Sequence, residues 1–158
     1  MLNTKMHSFR LFIDADASPV RVEAIRIAER HKIKTFIVSN GGILPSRSQL
    51  TETVTVNQGP DEADNWIVDN IKKFDIVITS DIHLADRCIK KDVLVISQNG
   101  EPINKNNVGS KLASRNLMAD IRSANPYLFG KGTVFSKNDR IKFMNSLEKE
   151  IQTIKKSR

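Results

Sequence analysis

Short apolar runs alternate with segments of helical period along the first hundred residues, and this alternation limits the folds open to the chain more than any other feature. The runs at residues 9–13, 33–38, 53–56, 76–79 and 93–96 have the length and composition of strands. Behind Pro19, Val20, Ala24, Ile27 and Ala28 recur at the spacing of an amphipathic helix. Proline suits the first turn there because its missing N–H has no partner to lose. Ala63, Ile67, Ile71 and Phe74 form the apolar stripe of a predicted helix over 61–74, and Leu84, Ala85 and Ile89 that of one over 81–90. The run at 76–79 is almost wholly apolar, as a strand covered on both faces must be. Strands and helices in this order predict a single-domain, three-layer α/β/α fold with a mainly parallel, five-stranded sheet.

After Gly100-Glu101-Pro102 the pattern turns helical, with one helix predicted over 107–123, a loop over 125–133 and a last helix from Ser136. Ser136 and Asp139 have capping-box spacing. Ile141, Met144, Leu147, Ile151 and Ile154 form the predicted buried stripe of that last helix. Residues 9–158 read as one domain, and 1–8 as a disordered N-terminal tail. The one cysteine, Cys88, excludes an intrachain disulfide and fits a reducing cytoplasm, the expected location. No apolar run approaches the roughly 18 residues of a membrane span, and the first ten residues lack a signal-peptide core.

The net charge of +7 is unevenly placed. Residues 1–100 hold 13 Lys/Arg and 13 Asp/Glu, whereas residues 101–158 hold 12 Lys/Arg and 5 Asp/Glu. The domain thus ends in basic helices, which either solvate the protein or attract a polyanion such as nucleic acid.

The acidic residues fall in a pattern. Right-handed crossovers place the carboxyl ends of all parallel strands on one edge, where open α/β sheets bind ligands. Asp14 and Asp16 follow the first strand, Asp61 and Asp64 open the helix after the third, and Asp81 follows the fourth. Asp14 and Asp16, two positions apart in extended chain, project to one face. Asp16, Asp61, Asp64 and Asp81 each also fit a helix N-cap role. Five like charges on one edge call for a counter-ion. His7, His31 and His83 are scattered and there is no Cys cluster, so the oxygen donors select Mg²⁺ or Mn²⁺ rather than zinc. An aspartate-bound cation of this kind suits phosphodiester hydrolysis. Asp14, Asp16, Asp64 and Asp81 are the candidate catalytic residues, with Asp14, Asp64 and Asp81 as metal ligands. Arg47, Asp61, Arg115, Asp139 and Arg140 are candidates for holding the substrate.

Four ordered motifs carry a family resemblance: Asp14-Ala-Asp-Ala-Ser-Pro19, Asp61-Glu-Ala-Asp-Asn-Trp-Ile67, Thr79-Ser-Asp-Ile-His-Leu-Ala85 and Phe135-Ser-Lys-Asn-Asp-Arg140. The chain resembles the bacterial YaiI/YqxD family (UPF0178, DUF188) from about residue 9 to 150, a family largely uncharacterised and similar to PIN-like nuclease domains. The resemblance implies a parallel sheet with acidic metal ligands at its carboxyl edge. It also places Asp14, Asp16, Asp61, Asp64, Asp81, Asp139 and Arg140 on motif positions. Ser18 stands where the family usually has Cys, and His83 where it usually has Pro. Arg115-Asn116-Leu117 replaces an Arg-Asp-Phe run.

The reading that follows is a Mg²⁺- or Mn²⁺-dependent nuclease acting on RNA or single strands. Two alternatives stay open. One is a non-enzymatic RNA-binding or regulatory module on the same fold. The other is a haloacid-dehalogenase-like phosphatase, suggested by Phe12-Ile-Asp-Ala-Asp and Phe36-Ile-Val-Ser-Asn-Gly. That phosphatase needs a flap hairpin after its nucleophile strand, and here Pro19 begins a helix at once. The oligomeric state is not set by the sequence, and a homodimer is compatible with it.

Overall fold

A computed structural model describes residues 9–15, 19–124 and 135–156. The tail at 1–8, the loop at 125–133 and Asp16 lie outside the described residues. The elements run β1 (Leu11–Asp14), α1 (Arg21–Arg30), β2 (Thr35–Ser39), β3 (Thr51–Thr55), α2 (Glu62–Asn70), β4 (Ile76–Ile78), α3 (Ile82–Ile89), β5 (Leu94–Ile96), β6 (Pro102–Ile103), α4 (Val108–Ala124) and α5 (Lys137–Lys156).

The strands form one sheet in the order β3-β2-β1-β4-β5-β6. The first five named are parallel; β5 and β6 are antiparallel, with Val95 opposite Ile103 and Ile96 opposite Pro102. The sheet therefore has six strands, not the five expected. The sixth is two residues long, too short for periodicity to reveal. Pro102 is tolerated because β6 lies at the sheet's edge.

Alternation along the strands sorts the core into two layers. Leu11 and Ile13 of β1 join Ile76 and Ile78 of β4 beneath α1 and α5, whose Ala24, Ile27, Phe143, Leu147 and Ile151 cover that face. Phe12 and Val77 face the other way, with Ile67 of α2, Leu84 and Cys88 of α3, and Val108 of α4. This is the three-layer α/β/α domain.

Two helices differ from expectation. α2 ends at Asn70 rather than continuing to residue 74, because Ile71 is extended and the Asp75 carboxylate accepts the Lys72 N–H. Phe74, expected on the buried stripe, is 50% exposed. In α5 the buried stripe is Phe143, Leu147 and Ile151, which leaves Ile141 43% exposed. These three lie four residues apart on one face of the helix, and Phe143, not Ile141, joins the cluster with Ala24 and Ile27 of α1. The capping box forms as predicted: Asp139 Oδ2 accepts the Ser136 N–H at 2.9 Å, and Ser136 Oγ accepts the Asp139 N–H at 3.1 Å.

Candidate active site

The strand order turns at β1. Chain from β1 leads outward through β2 to β3, then returns so that β4 lies on the other side of β1. This is a topological switch point, where the flanking connections part and leave a crevice beyond the carboxyl ends. A cleft of about 510 Å³ opens there. Asp14 enters it from β1, Asn40 from the end of β2, and Asp61 and Asp64 from the start of α2. Ser80 and Asp81 enter after β4, Gln98 after β5, and Arg115 from α4.

One hydroxyl ties the two central strands together. Thr79 Oγ1 donates to Asp14 Oδ2 at 2.9 Å and accepts the Asp81 N–H at 3.0 Å. Asp14 and Thr79 are both buried, so this chain of bonds fixes the Asp14 carboxylate and the turn that carries Asp81. Asp81 also caps α3, its Oδ1 accepting the N–H groups of His83 at 2.9 Å and Leu84 at 3.3 Å. Capping and cleft-lining coexist in this residue.

Asp61 does not behave as a cap. It occupies the N-cap position of α2 in the left-handed region, φ 66°, and makes no side-chain capping bond. A non-glycine residue held there carries a steric cost. Its effect is to leave a carboxyl at the cleft wall. Asp64, one turn into α2, has its carboxyl pushed up from the usual 3.8 to about 6. Burial is the main cause, followed by the negative charges of Asp81, Asp14 and Asp61, with Arg87 acting in the opposite sense. Asp14, Asp61 and Asp81 thus all act on the Asp64 carboxyl.

The remaining sequence candidates lie elsewhere. Arg47 is exposed and does not line the cleft. It precedes Ser48, whose carbonyl accepts the Thr51 N–H at the amino end of β3. The chain has by then descended from the carboxyl edge. Asp139 serves the α5 capping box, which holds its carboxyl below the usual range, chiefly through the Ser136 N–H. Arg140 Nη1 donates to the Pro19 carbonyl and to Glu23 Oε1, each at 2.8 Å, and its guanidinium lies 5.0 Å from the Phe135 ring. It is a strut between α5 and the start of α1. Only Arg115 among the basic candidates reaches the cleft. Sequence reasoning missed Asn40, Thr79, Ser80 and Gln98. Asn40 and Gln98 were signalled by position near the end of a strand on the carboxyl edge, and Thr79 and Ser80 also by the motif that contains Asp81.

Among the described residues, no three Asp, Glu, His or Cys side chains gather into a ready metal cage. The donor chemistry still fits a hydrated Mg²⁺ or Mn²⁺, which needs only one or two carboxylates and keeps several waters. Cys88 offers no alternative chemistry, since burial pushes its thiol up to about 12.

Fold and cleft together define a class, a single-domain α/β/α protein with an acidic site at the switch point of a mainly parallel sheet. The chain belongs to the YaiI/YqxD family: the model described as "Uncharacterized BCR, YaiI/YqxD family" matches residues 12–153. A UPF0178 protein of Roseobacter denitrificans is 51% identical over 90% of this chain and 94% of its own. Those of Ruegeria pomeroyi and Parvibaculum lavamentivorans are 50% and 42% identical, over 90% and 92% of this chain and 93% and 95% of their own. No solved structure matches the chain. Among the described residues, no helix is long and apolar enough to cross a membrane.

Proposed function

We propose that the acidic cleft hydrolyses phosphodiester bonds of RNA or single-stranded nucleic acid, with Mg²⁺ or Mn²⁺ as cofactor. The observation that carries this reading is the convergence of Asp14, Asp61, Asp64 and Asp81 on one cleft at the switch point, with Asp64 raised to about 6 by burial and its neighbours. Asp14, Asp64 and Asp81 would hold the cation, which supplies charge neutralisation at phosphate and a more acidic bound water. The chain's own groups do the rest. Arg115, the basic side chain of the cleft, is placed to pair with a phosphate. The raised proton affinity of Asp64 marks a carboxylate whose ionised form a bound cation would favour, so Asp64 would serve as a ligand. Thr79 orients Asp14 by donating its hydroxyl to the carboxylate. The resemblance to PIN-like nuclease domains supports the same chemistry.

The phosphatase alternative is weakened by the chain between β1 and α1, six residues that leave no room for a flap hairpin. The excess of Lys and Arg over Asp and Glu in residues 101–158 supports the non-enzymatic RNA-binding module as the second reading. Cleavage of a labelled single-stranded RNA, titrated with Mg²⁺ and Mn²⁺, separates the two. Metal-dependent cleavage lost in Asp14→Asn and Asp64→Asn supports the nuclease. Salt-sensitive binding with no turnover at any metal concentration supports the module.

A further inference from the structure

The opposite edge of the sheet carries a second pocket, of about 520 Å³. It sits where Phe9 and Arg10 lead into β1, Ile33 and Lys34 into β2, and Leu50 into β3. The length of the strands therefore separates it from the acidic cleft. Phe9, Ile33 and Leu50 are apolar residues of its lining, and Lys32, Lys34 and Lys155 are basic ones. Among the described residues, no carboxylate lines it. A pocket of this size, lined by apolar and basic residues together, matches a small ligand that is part apolar and part anionic.

Part of this positive charge is already committed. Arg10 pairs with Asp75 at 2.7 Å, and Lys34 lies 3.6 Å from Glu52. Lys155 Nζ donates to His31 Nδ1 at 2.8 Å, while His31 Nε2 bonds Glu148 Oε2 at 2.6 Å. Through His31, the Lys155 ammonium is held at the pocket wall with donor capacity to spare. Lys32 is the telling residue. It closes α1 in the left-handed region, φ 57°, a conformation glycine adopts without steric cost and lysine does not. Its N–H bonds the Glu29 carbonyl at 3.0 Å, and the Ile33 N–H bonds that of Ala28 at 2.8 Å. The backbone thus satisfies these two helix-end carbonyls, and the lysine side chain is not needed for that. A strained lysine at a position made for glycine points to a use for its charge.

We propose that this amino-edge pocket binds a small organic phosphate, with Lys32 and Lys155 holding the phosphate and Phe9, Ile33 and Leu50 packing its apolar part. The proposal stands apart from the reading of the acidic cleft. Adenosine 5′-monophosphate is the probe, titrated into the full chain by calorimetry beside inorganic phosphate and adenosine. The nucleotide should bind more tightly than phosphate, and adenosine should bind least. Lys32→Gly should raise the melting temperature by relieving strain, yet weaken nucleotide binding about tenfold, the scale of one lost charge contact. Lys155→Ala should weaken it similarly, and Asp64→Asn should leave it unchanged. The proposal is overturned by no nucleotide binding at millimolar concentration, by binding that survives both lysine substitutions, or by adenosine binding as tightly as the nucleotide. Binding lost in Arg115→Ala but kept in Lys32→Gly would place the nucleotide in the cleft and also overturn it.

Discussion

Replacing Asp64 with Asn should stabilise the protein near neutral pH and do nothing in mild acid. Burial, and then the charges of Asp81, Asp14 and Asp61, raise the Asp64 carboxyl from 3.8 to about 6 in the folded protein. A group whose folded value lies above its unfolded value favours the fold in its protonated form. Its stabilising contribution is complete below the unfolded value of 3.8 and is lost as pH rises through about 6. Transmitted in full, the shift corresponds to roughly 3 kcal/mol. Asp64 opens to water in the cleft, and screening brings the figure to about 1–2 kcal/mol. For a domain of this size that is an increase of about 3–6 °C in Tm for Asp64→Asn above pH 7. Melts followed by circular dichroism at about pH 7.5 and pH 4 provide the test. The gap should close at the lower pH, where wild type and variant are both neutral at this position. Millimolar Mg²⁺ should also narrow the gap at the higher pH by stabilising wild type alone. A variant no more stable than wild type at the higher pH, or equally stabilised at both, would refute the claim that burial and these neighbours raise the Asp64 carboxyl.

Thr79→Val keeps the shape but removes the hydroxyl between Asp14 and the Asp81 N–H. It should cost about 2–3 kcal/mol in urea unfolding and lower RNA cleavage, while Thr79→Ser restores both. Gly100 sits at φ 87°, and an added Cβ would lie 2.5 Å from the Lys142 carbonyl oxygen, so Gly100→Ala should cost roughly 2–4 kcal/mol in the same assay. Ser136→Ala breaks the α5 capping box and should cost about 1 kcal/mol with RNA cleavage unchanged. A large loss of cleavage there would return Asp139 to the substrate site.

The parallel sheet and its acidic edge were legible because both rest on local pattern. The apolar runs of β1 and β4, followed directly by Asp14 and Asp81, fix which carboxylates share an edge once the crossovers are right-handed. What was hidden depends on tertiary contacts. Asp75 ends α2 by taking the Lys72 N–H, and no residue within the helical stripe announces that. Phe143 rather than Ile141 faces the core, packed in one cluster with Ala24 and Ile27 of α1, and spacing within α5 does not specify that partner face. Arg140 looked like a phosphate ligand because of its charge and its place in the C-terminal motif, neither of which shows a structural bond. Its bonds to Pro19 and Glu23 join residues more than a hundred positions apart. Asp61 shows the reverse case. Its sequence position suggested a cap, and its left-handed backbone frees the carboxyl for the cleft.

The most direct test of the cleft assignment is a crystal soaked in Mn²⁺ and measured at the manganese edge. Anomalous density is expected in the cleft, in contact with Asp14 and with Asp64 or Asp81, and absent from Asp14→Asn crystals. An empty cleft at saturating Mn²⁺, with Asp81 bonded only to the N–H groups of α3, would contradict it.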